Sequence, residues 1–590
     1  MANYFVDYLN SMNNSGSNTV AALAEAQVLS PYYDRIRIDR CLGKHIADKI
    51  SDGNFHAIVL TGHAGDGKTS ILVQVLSEFK MLEGNTPLSE EALYEKNGVK
   101  IYAVKDMSEL SYDKQITYCR RGLESPQNEE SSLIISNTGP LLKCFETIVK
   151  EDYEKQGRKF GEAERSKLQN TILEQLDTND QNEIQVGDYS VLIINIARID
   201  NVDFAEKVME KILADDLWQP CTECGKRDKC SIYNNKNVVK HHFRRISDFV
   251  TAFYRYLYEN DKRMTIRQML SQISFAITGN QTCSSIKATA KETAKFNYMF
   301  PNLFFGYKGL NRIDSAMQIQ GIAYANECKI DSIALNDDYK MFVTGDFTGI
   351  PDDVRGFITA QYDIFSKRHM CFADEKAKYC ESDALYRRAL RRFHIMLSLG
   401  NEDGYVQIFD ELFGNGFNDY VKLLNGETSV KAKNEIKKII LEALYMESTG
   451  TTAKNADSIP LTIRRNDNVY QKVMITNGKL RKEDIKIDIV PANNVFEDNK
   501  NKRNINLRIC DKKDFRISLP LVTYFEQIAN GSISTDANPA LTHGISKLKA
   551  LLLEYGKGDD NSNAFKVLLN RTDNPMYIDI EFDENKVYFN

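Results

Sequence analysis

The sequence predicts an α/β fold: a parallel sheet core, a helical lid, a helical middle region and a small C-terminal α+β domain. Three observations carry this. Apolar runs at Ala57–Leu60, Ser132–Ser136 and Ser190–Ile196 alternate with helical patterns, the arrangement of parallel strands joined by crossover helices. A glycine-rich loop separates the first run from its helix. From Leu461 onwards the pattern changes to short β-like runs between charged turns. The expected segments are 1–54, a helical lead-in; 55–202, the sheet core; 203–280, the lid; 281–460, a helical domain; and 461–590, the α+β domain.

In the lead-in, Val20–Val28 is helix-like. Asp34–Ile50 reads as one helix with Ile36, Ile38, Leu42, Ile46 and Ile50 on its buried side. The core then opens on Gly62-His63-Ala64-Gly65-Asp66-Gly67-Lys68-Thr69-Ser70, which fits G-x-x-x-x-G-K-[ST]. A strand precedes it, and Ile71, Leu72, Val75 and Leu76 share one face of the helix that follows. That context is what a P-loop requires. Gly62, Gly65 and Gly67 admit backbone conformations closed to residues with a Cβ, so loop N–H groups can turn inward around phosphate. Lys68 would place its ammonium on the β- and γ-phosphates of ATP, and Thr69 would give its hydroxyl to Mg²⁺.

The remaining strands end in polar residues. Val99–Val104 leads to Asp106, a carboxylate suited to Mg²⁺ through water or an ordinary loop residue; Glu109, three residues on, could polarise an attacking water. The second strand ends at Asn137-Thr138-Gly139. An amide there can orient water near a γ-phosphate, or can simply cap the next helix. Thr265 reads as the N-cap of a helix from Ile266 to Ile277, with Arg267 in its first turn, either facing the γ-phosphate or solvated. Arg244 and Arg245 are weaker candidates for a finger into a neighbouring subunit.

Cys221, Cys224 and Cys230 form a C-x2-C-x5-C cluster. Three thiolates can hold Zn²⁺ or three corners of an iron–sulfur cluster, but a closed zinc site takes four ligands. His241 or His242 could supply the fourth; reduced structural cysteines are the alternative. Further on, Arg387, Arg388, Arg391 and Arg392 make a basic helical stripe that could track a nucleic-acid backbone or form a salt-bridged face. In the last segment, 492–503 is rich in Asn, Asp and Lys and reads as a mobile loop, and Tyr577–Phe582 with Lys586–Phe589 reads as a hairpin.

The chain has 590 residues, 42% of them apolar and 27% charged, and a net charge of −6. Any nucleic-acid contact must therefore come from a local basic patch. No run of about 18 apolar residues occurs, so no membrane helix is expected. The polar start, Met1–Val20, lacks a signal-peptide core. A cytoplasmic protein with reduced thiols is the expectation for its eleven cysteines.

Gly62–Leu72 resembles the P-loop of bacterial anti-phage defence ATPases, including the DptF type found beside phosphorothioation-dependent restriction. Ile135–Leu141 resembles the asparagine–glycine turn after a core strand in that group. The cysteine cluster followed by Met264–Gln268 resembles the lid of defence-associated AAA+ or STAND-like proteins. The resemblance implies an AAA+-like core in which Asn137 acts as first sensor and Arg267 as second. It also implies a Mg²⁺-dependent ATPase that assembles into a homo-oligomer and drives or gates a separate effector protein, on DNA or off it. A slow switch or scaffold is the alternative. No D-x-n-E-x-K pattern with strand context supports a nuclease.

Overall fold

The computed structural model describes residues 2–13, 30–63, 65–82, 88–289, 294–368, 381–398, 402–451, 458–463, 473–492, 495–532, 539–555, 564–569, 576–583 and 586–589. Val20–Val28 and Ala64 lie outside these. The chain divides into two compact units where five segments were expected. The first comprises Met1–Tyr258, Lys262–Leu399 and Asn494–Asn499; the second comprises Glu259–Asp261, Gly400–Asn493 and Lys500–Asn590.

The first unit is built on a six-stranded mixed sheet: β1 (Ala57–Thr61), β2 (Glu91–Lys96), β3 (Val99–Val104), β4 (Ser131–Ile135), β5 (Ile184–Val186) and β6 (Tyr189–Asn195). The spatial order is β2-β3-β4-β1-β6-β5. The four inner strands are parallel as expected, but the two edges are antiparallel, so the expected parallel core is corrected to a mixed sheet whose edge strands return by short hairpins. β2 falls in the stretch 83–97, which reads as a polar link; its side chains are mostly exposed, as suits an edge strand with one covered neighbour.

Helices α1 (Tyr4–Ser11), α2 (Cys41–Ile50), α3 (Lys68–Glu78), α4 (Tyr112–Leu123), α5 (Thr138–Lys155) and α6 (Glu162–Thr178) complete this part. Strand side chains alternate between faces. Ile58, Leu60, Leu133, Ile135, Leu192 and Ile194 pack with α2 and α3. Val59, Tyr102, Ile134, Val191 and Ile193 pack on the other face with α4, α5 and α6. The inner strands are apolar on both faces because both are covered. The predicted single helix 34–50 is broken: a helical turn at Tyr33–Ile36 ends at extended Arg37, and α2 starts at Cys41.

After β6 come α7 (Phe204–Ile212), α8 (Ser231–His241), α9 (Phe243–Glu259), α10 (Ile266–Thr278) and α11 (Cys283–Thr289), then a two-residue hairpin, β7 (Tyr307–Lys308) with β8 (Asn311–Arg312). Thr265 caps α10 as predicted, in a reciprocal box with Gln268.

The helix Glu381–Leu397 carries the arginine stripe. Arg388 and Arg392 both pair with the buried carboxylate of Asp331, and Arg391 forks onto Asp338. Arg392 is 1% exposed. Of the two readings of the stripe, the salt-bridged face is the one seen for Arg388, Arg391 and Arg392, whose cations are taken by internal carboxylates, while Arg387 lies over the Phe342 ring. The expected mobile loop 492–503 is also corrected in part. Phe496 is fully buried in the α2–α3 core, and Asp498 accepts from Cys41 N at 2.7 Å and pairs with Arg40.

The second unit holds helices at Glu402–Phe413, Phe417–Leu424, Val430–Thr449, Leu519–Ala529 and Pro539–Tyr555. Its strands are β9 (Ser458–Ile463), β10 (Val473–Arg481), β11 (Ile485–Pro491), β12 (Arg503–Ile509), β13 (Lys513–Arg516), β14 (Ala564–Leu569), β15 (Met576–Asp583) and β16 (Lys586–Phe589). They form antiparallel sheets of order β16-β15-β14-β10-β9 and β11-β12-β13. The predicted α+β character and closing hairpin are present; β9 and β14 had no sequence expectation.

Candidate phosphate-binding site and cysteine cavity

Strand register sets the site. Leu60 pairs with Ile135 in β4, and Val104 pairs with Ile134. The residues that follow, Gly62, Asn137 and Asp106, therefore emerge along one carboxyl edge of the parallel strands, where such sheets bind ligands. β4 lies between β1 and β3, so Asp106 is two strands from the loop, not on the neighbouring one.

The loop has the conformation its glycines allow. Gly65 and Gly67 have φ of +88° and +86°, in the left-handed region. Lys68 starts α3 and folds back over the loop. Its ammonium donates to Gly62 O at 2.8 Å, His63 O at 3.0 Å and Asn137 Oδ1 at 3.0 Å. Burial lowers its pKa, opposed by the charges of Asp106 and Asp66. The lysine's three donors are thus held in place by two loop carbonyls and the expected polar amide of β4. Thr69 and Ser70 are half-buried in the first turn of α3, and Ser70 Oγ lies 2.9 Å from Tyr33 Oη.

Asp106 caps a single 3₁₀ turn, accepting from Ser108 N at 2.9 Å. Ser108 Oγ in turn accepts from Asn137 N at 3.2 Å. Asp106 and Asn137 are thereby linked through one serine. Glu109 is exposed on that turn. His63 is exposed at the loop tip.

Two features of this site were not predicted. The Asp66 carboxylate is 0% exposed, accepts from His63 N at 2.8 Å and pairs with Arg263. Arg263 also donates to Ile196 O at 3.2 Å and Ile199 O at 3.3 Å. The loop is therefore tied to the segment just before α10. On the same side, a Cβ added at Gly65 would stand 3.0 Å from Thr265 Oγ1 and 3.5 Å from Arg267 Cβ. Arg267 thus stands beside the loop, and burial lowers its pKa. A lone Arg two residues before an N-cap gives no local sign that it reaches a carboxylate almost two hundred positions earlier. Arg245 donates to Ser398 O of its own chain.

The cysteine cluster lies elsewhere in the first unit. Cys221, Cys224 and Cys230 line a cavity of about 30 Å³ with Asn3, Lys226, Arg227 and a fourth cysteine, Cys283. His241 does not line it. It closes α8, whose first residue follows Cys230 directly, so about 1.5 Å of rise per residue carries it some 15 Å away. His242 contacts Asp353 at 3.1 Å. The expectation of a histidine fourth ligand is corrected on this ground. Burial raises the Cys221 and Cys230 thiols above their ordinary values. As the side chains stand, no group of three or more His, Cys, Asp or Glu among the described residues is gathered as a metal-holding set.

No helix among the described residues is long and apolar enough to cross a membrane. No protein-family model, curated protein or solved structure matches the chain.

Proposed function

We propose that this chain binds ATP at the Gly62–Ser70 loop and hydrolyses it with Mg²⁺. The observation that carries the reading is the Lys68 ammonium, buried and held by Gly62 O, His63 O and Asn137 Oδ1 at the carboxyl edge of a parallel sheet. Loop carbonyls are exchangeable partners for a lysine whose stronger partner is phosphate. Left-handed glycines and the start of α3 supply N–H donors for the same anion. Mg²⁺ would neutralise phosphate charge, with Thr69 and Asp106 as its protein-side ligands. Asn137 would orient water, and Arg267, beside Gly65, would answer charge on the transferred group.

The wider role rests on the resemblance: an AAA+/STAND-like ATPase in a bacterial anti-phage defence complex, working as a homo-oligomer with a separate effector, with DNA as a further partner. A slow nucleotide switch is the second reading. It is favoured by Arg263–Asp66, which couples the loop to the segment before α10 and so offers a two-state element.

The test is phosphate release from ATP by the purified chain, with and without double-stranded DNA and at two protein concentrations, beside Lys68→Ala. Loss of ATP-dependent turnover by 100-fold or more in the variant, with an unchanged melting profile, is the expected result (about 3 kcal/mol of transition-state stabilisation). Normal turnover by Lys68→Ala would overturn the proposal. ATP retained by the wild type without turnover would select the switch.

A further inference from the structure

The loop site leaves the cysteine cavity unexplained, and this cavity holds more chemistry than the sequence motif. Three sulfurs come from one short stretch, 221–230. The fourth, Cys283, comes from the start of α11, more than fifty residues later. The same cavity is bounded by Asn3, which is 2% exposed and sits at the start of α1. Asn3 directs two N–H groups at sulfur: its side chain donates to Cys221 Sγ at 3.4 Å and its backbone N–H to Cys283 Sγ at 3.5 Å. The buried side-chain amide, held by its own contacts to Leu217 O and Phe5 N, is thus aimed at Cys221, and the backbone N–H of the same residue at Cys283. Such N–H···S bonds favour thiolate over thiol and are a regular outer layer around metal-bound sulfur. Lys226 and Arg227 bring positive charge to the rim, which suits four thiolates carrying net negative charge around a metal.

We propose that Cys221, Cys224, Cys230 and Cys283 together hold a thiophilic metal centre, with Asn3 donating to its sulfurs. A single Zn²⁺ and an iron–sulfur cluster share this chemistry, since both take four cysteine thiolates in a closed site. Binding deprotonates the four thiols, releases their protons to solvent and draws the sulfurs together around the metal. No oxidant or reductant is required when a divalent ion or a preassembled cluster is loaded. The centre would staple the start of α1, the 220–230 turn and the start of α11. Neighbouring bonds already join the same parts: Asn10 Nδ2 to Gln281 O at 2.9 Å and Ser231 Oγ to Gln281 Oε1 at 2.6 Å. Its consequence for the loop site is positional. α10 runs from Thr265 and Arg267, beside the loop, to Thr278, a few residues before Cys283. Fixing Cys283 fixes the far end of the helix that presents Arg267.

The test is metal analysis and visible spectroscopy of the full chain purified under anaerobic conditions, with cysteine alkylation mapped by mass spectrometry before and after chelation. About one zinc per chain and no visible absorption identifies a zinc centre. About four irons with broad visible absorption identifies a cluster. In either case the four named cysteines are protected together and become reactive together on chelation. Cys283→Ser is expected to lower metal content more than tenfold, and His241→Ala to leave it unchanged. The mapping uses the wild-type chain, so it stands even where Cys283→Ser fails to fold. Wild-type chain that carries no metal and takes up no zinc, alkylation of Cys283 while the other three stay protected, or loss of metal in His241→Ala would overturn the proposal. None of these results depends on ATP turnover.

Discussion

Replacing Arg263 with methionine removes the cation that faces Asp66 and keeps most of the side-chain volume. The Asp66 carboxylate is 0% exposed, so water cannot take the place of the guanidinium, while His63 N continues to donate to its other oxygen. Stripping one partner from a buried ion pair costs about 3–5 kcal/mol. Arg263 itself is 14% exposed, which sets the expectation at the lower end, about 3 kcal/mol. For a folding unit of roughly 400 residues, an unfolding entropy of about 2.1 cal/mol/K per residue converts this to a fall of about 4 °C in melting temperature. Trp218, the only tryptophan, is 1% exposed and packs edge-on against Phe5 in the first unit. Its fluorescence therefore reports the unfolding of that unit. The decisive experiment is a double-mutant cycle with Asp66→Asn, read by Trp218 in urea. The double variant should be more stable than the sum of the two single losses predicts, by more than about 1 kcal/mol. A coupling energy within about 0.5 kcal/mol of zero would refute the claim that this pair ties the loop to the segment before α10.

Other outcomes follow from the same geometry. Arg392→Met leaves the buried Asp331 with Arg388 alone and should cost about 3 kcal/mol in a urea melt, with no change in DNA affinity; weaker DNA binding at unchanged stability would restore the phosphate-tracking reading. Gly65→Ala puts a Cβ at φ +88° and 3.0 Å from Thr265 Oγ1, and should cost about 1–2 kcal/mol and weaken ATP retention; an unperturbed variant would mean the loop does not hold this conformation. The His394 imidazole, opposed by burial and aided by Lys340, holds the Asp337 carboxyl well below the usual carboxylate range. On the acid side the stability this contributes is lost as pH falls below about 4. Asp337 is over a third exposed, so the effect is under about 1 kcal/mol. Asp337→Asn should flatten the acid limb of the pH–stability profile, and an unchanged limb would count against it.

The elements around the loop were legible because each is encoded locally. β1, β4 and β6 are continuous apolar runs, and a run covered on both faces has no polar alternation to confuse it. The glycines at 65 and 67 mark left-handed positions that other residues adopt at a cost. Thr265 and Gln268 announce the start of α10 within four residues. The broken helix at 37–40 escaped because Ile36, Ile38 and Leu42 keep an apolar rhythm through an extended stretch. Phe496 escaped because one buried ring is set among eight or more polar residues.

By itself, the sequence determined the strand–loop–helix at Ala57–Glu78, the α/β character of the first part and the α+β character of the last. These depend on period, turn chemistry and glycine, which act over a few residues. Tertiary structure alone decided which distant groups meet. It placed β4 between β1 and β3, so that Asn137 and not Asp106 meets Lys68. It gave Asp66 to Arg263 and Asp331 to the arginine stripe. It set Cys283 beside the cluster and left His241 at the far end of α8. Spacing along the chain fixes neighbours on one helix or strand. A buried charge or a cavity wall is completed by whichever segment the packing of the whole unit brings there, and that is a property of the fold.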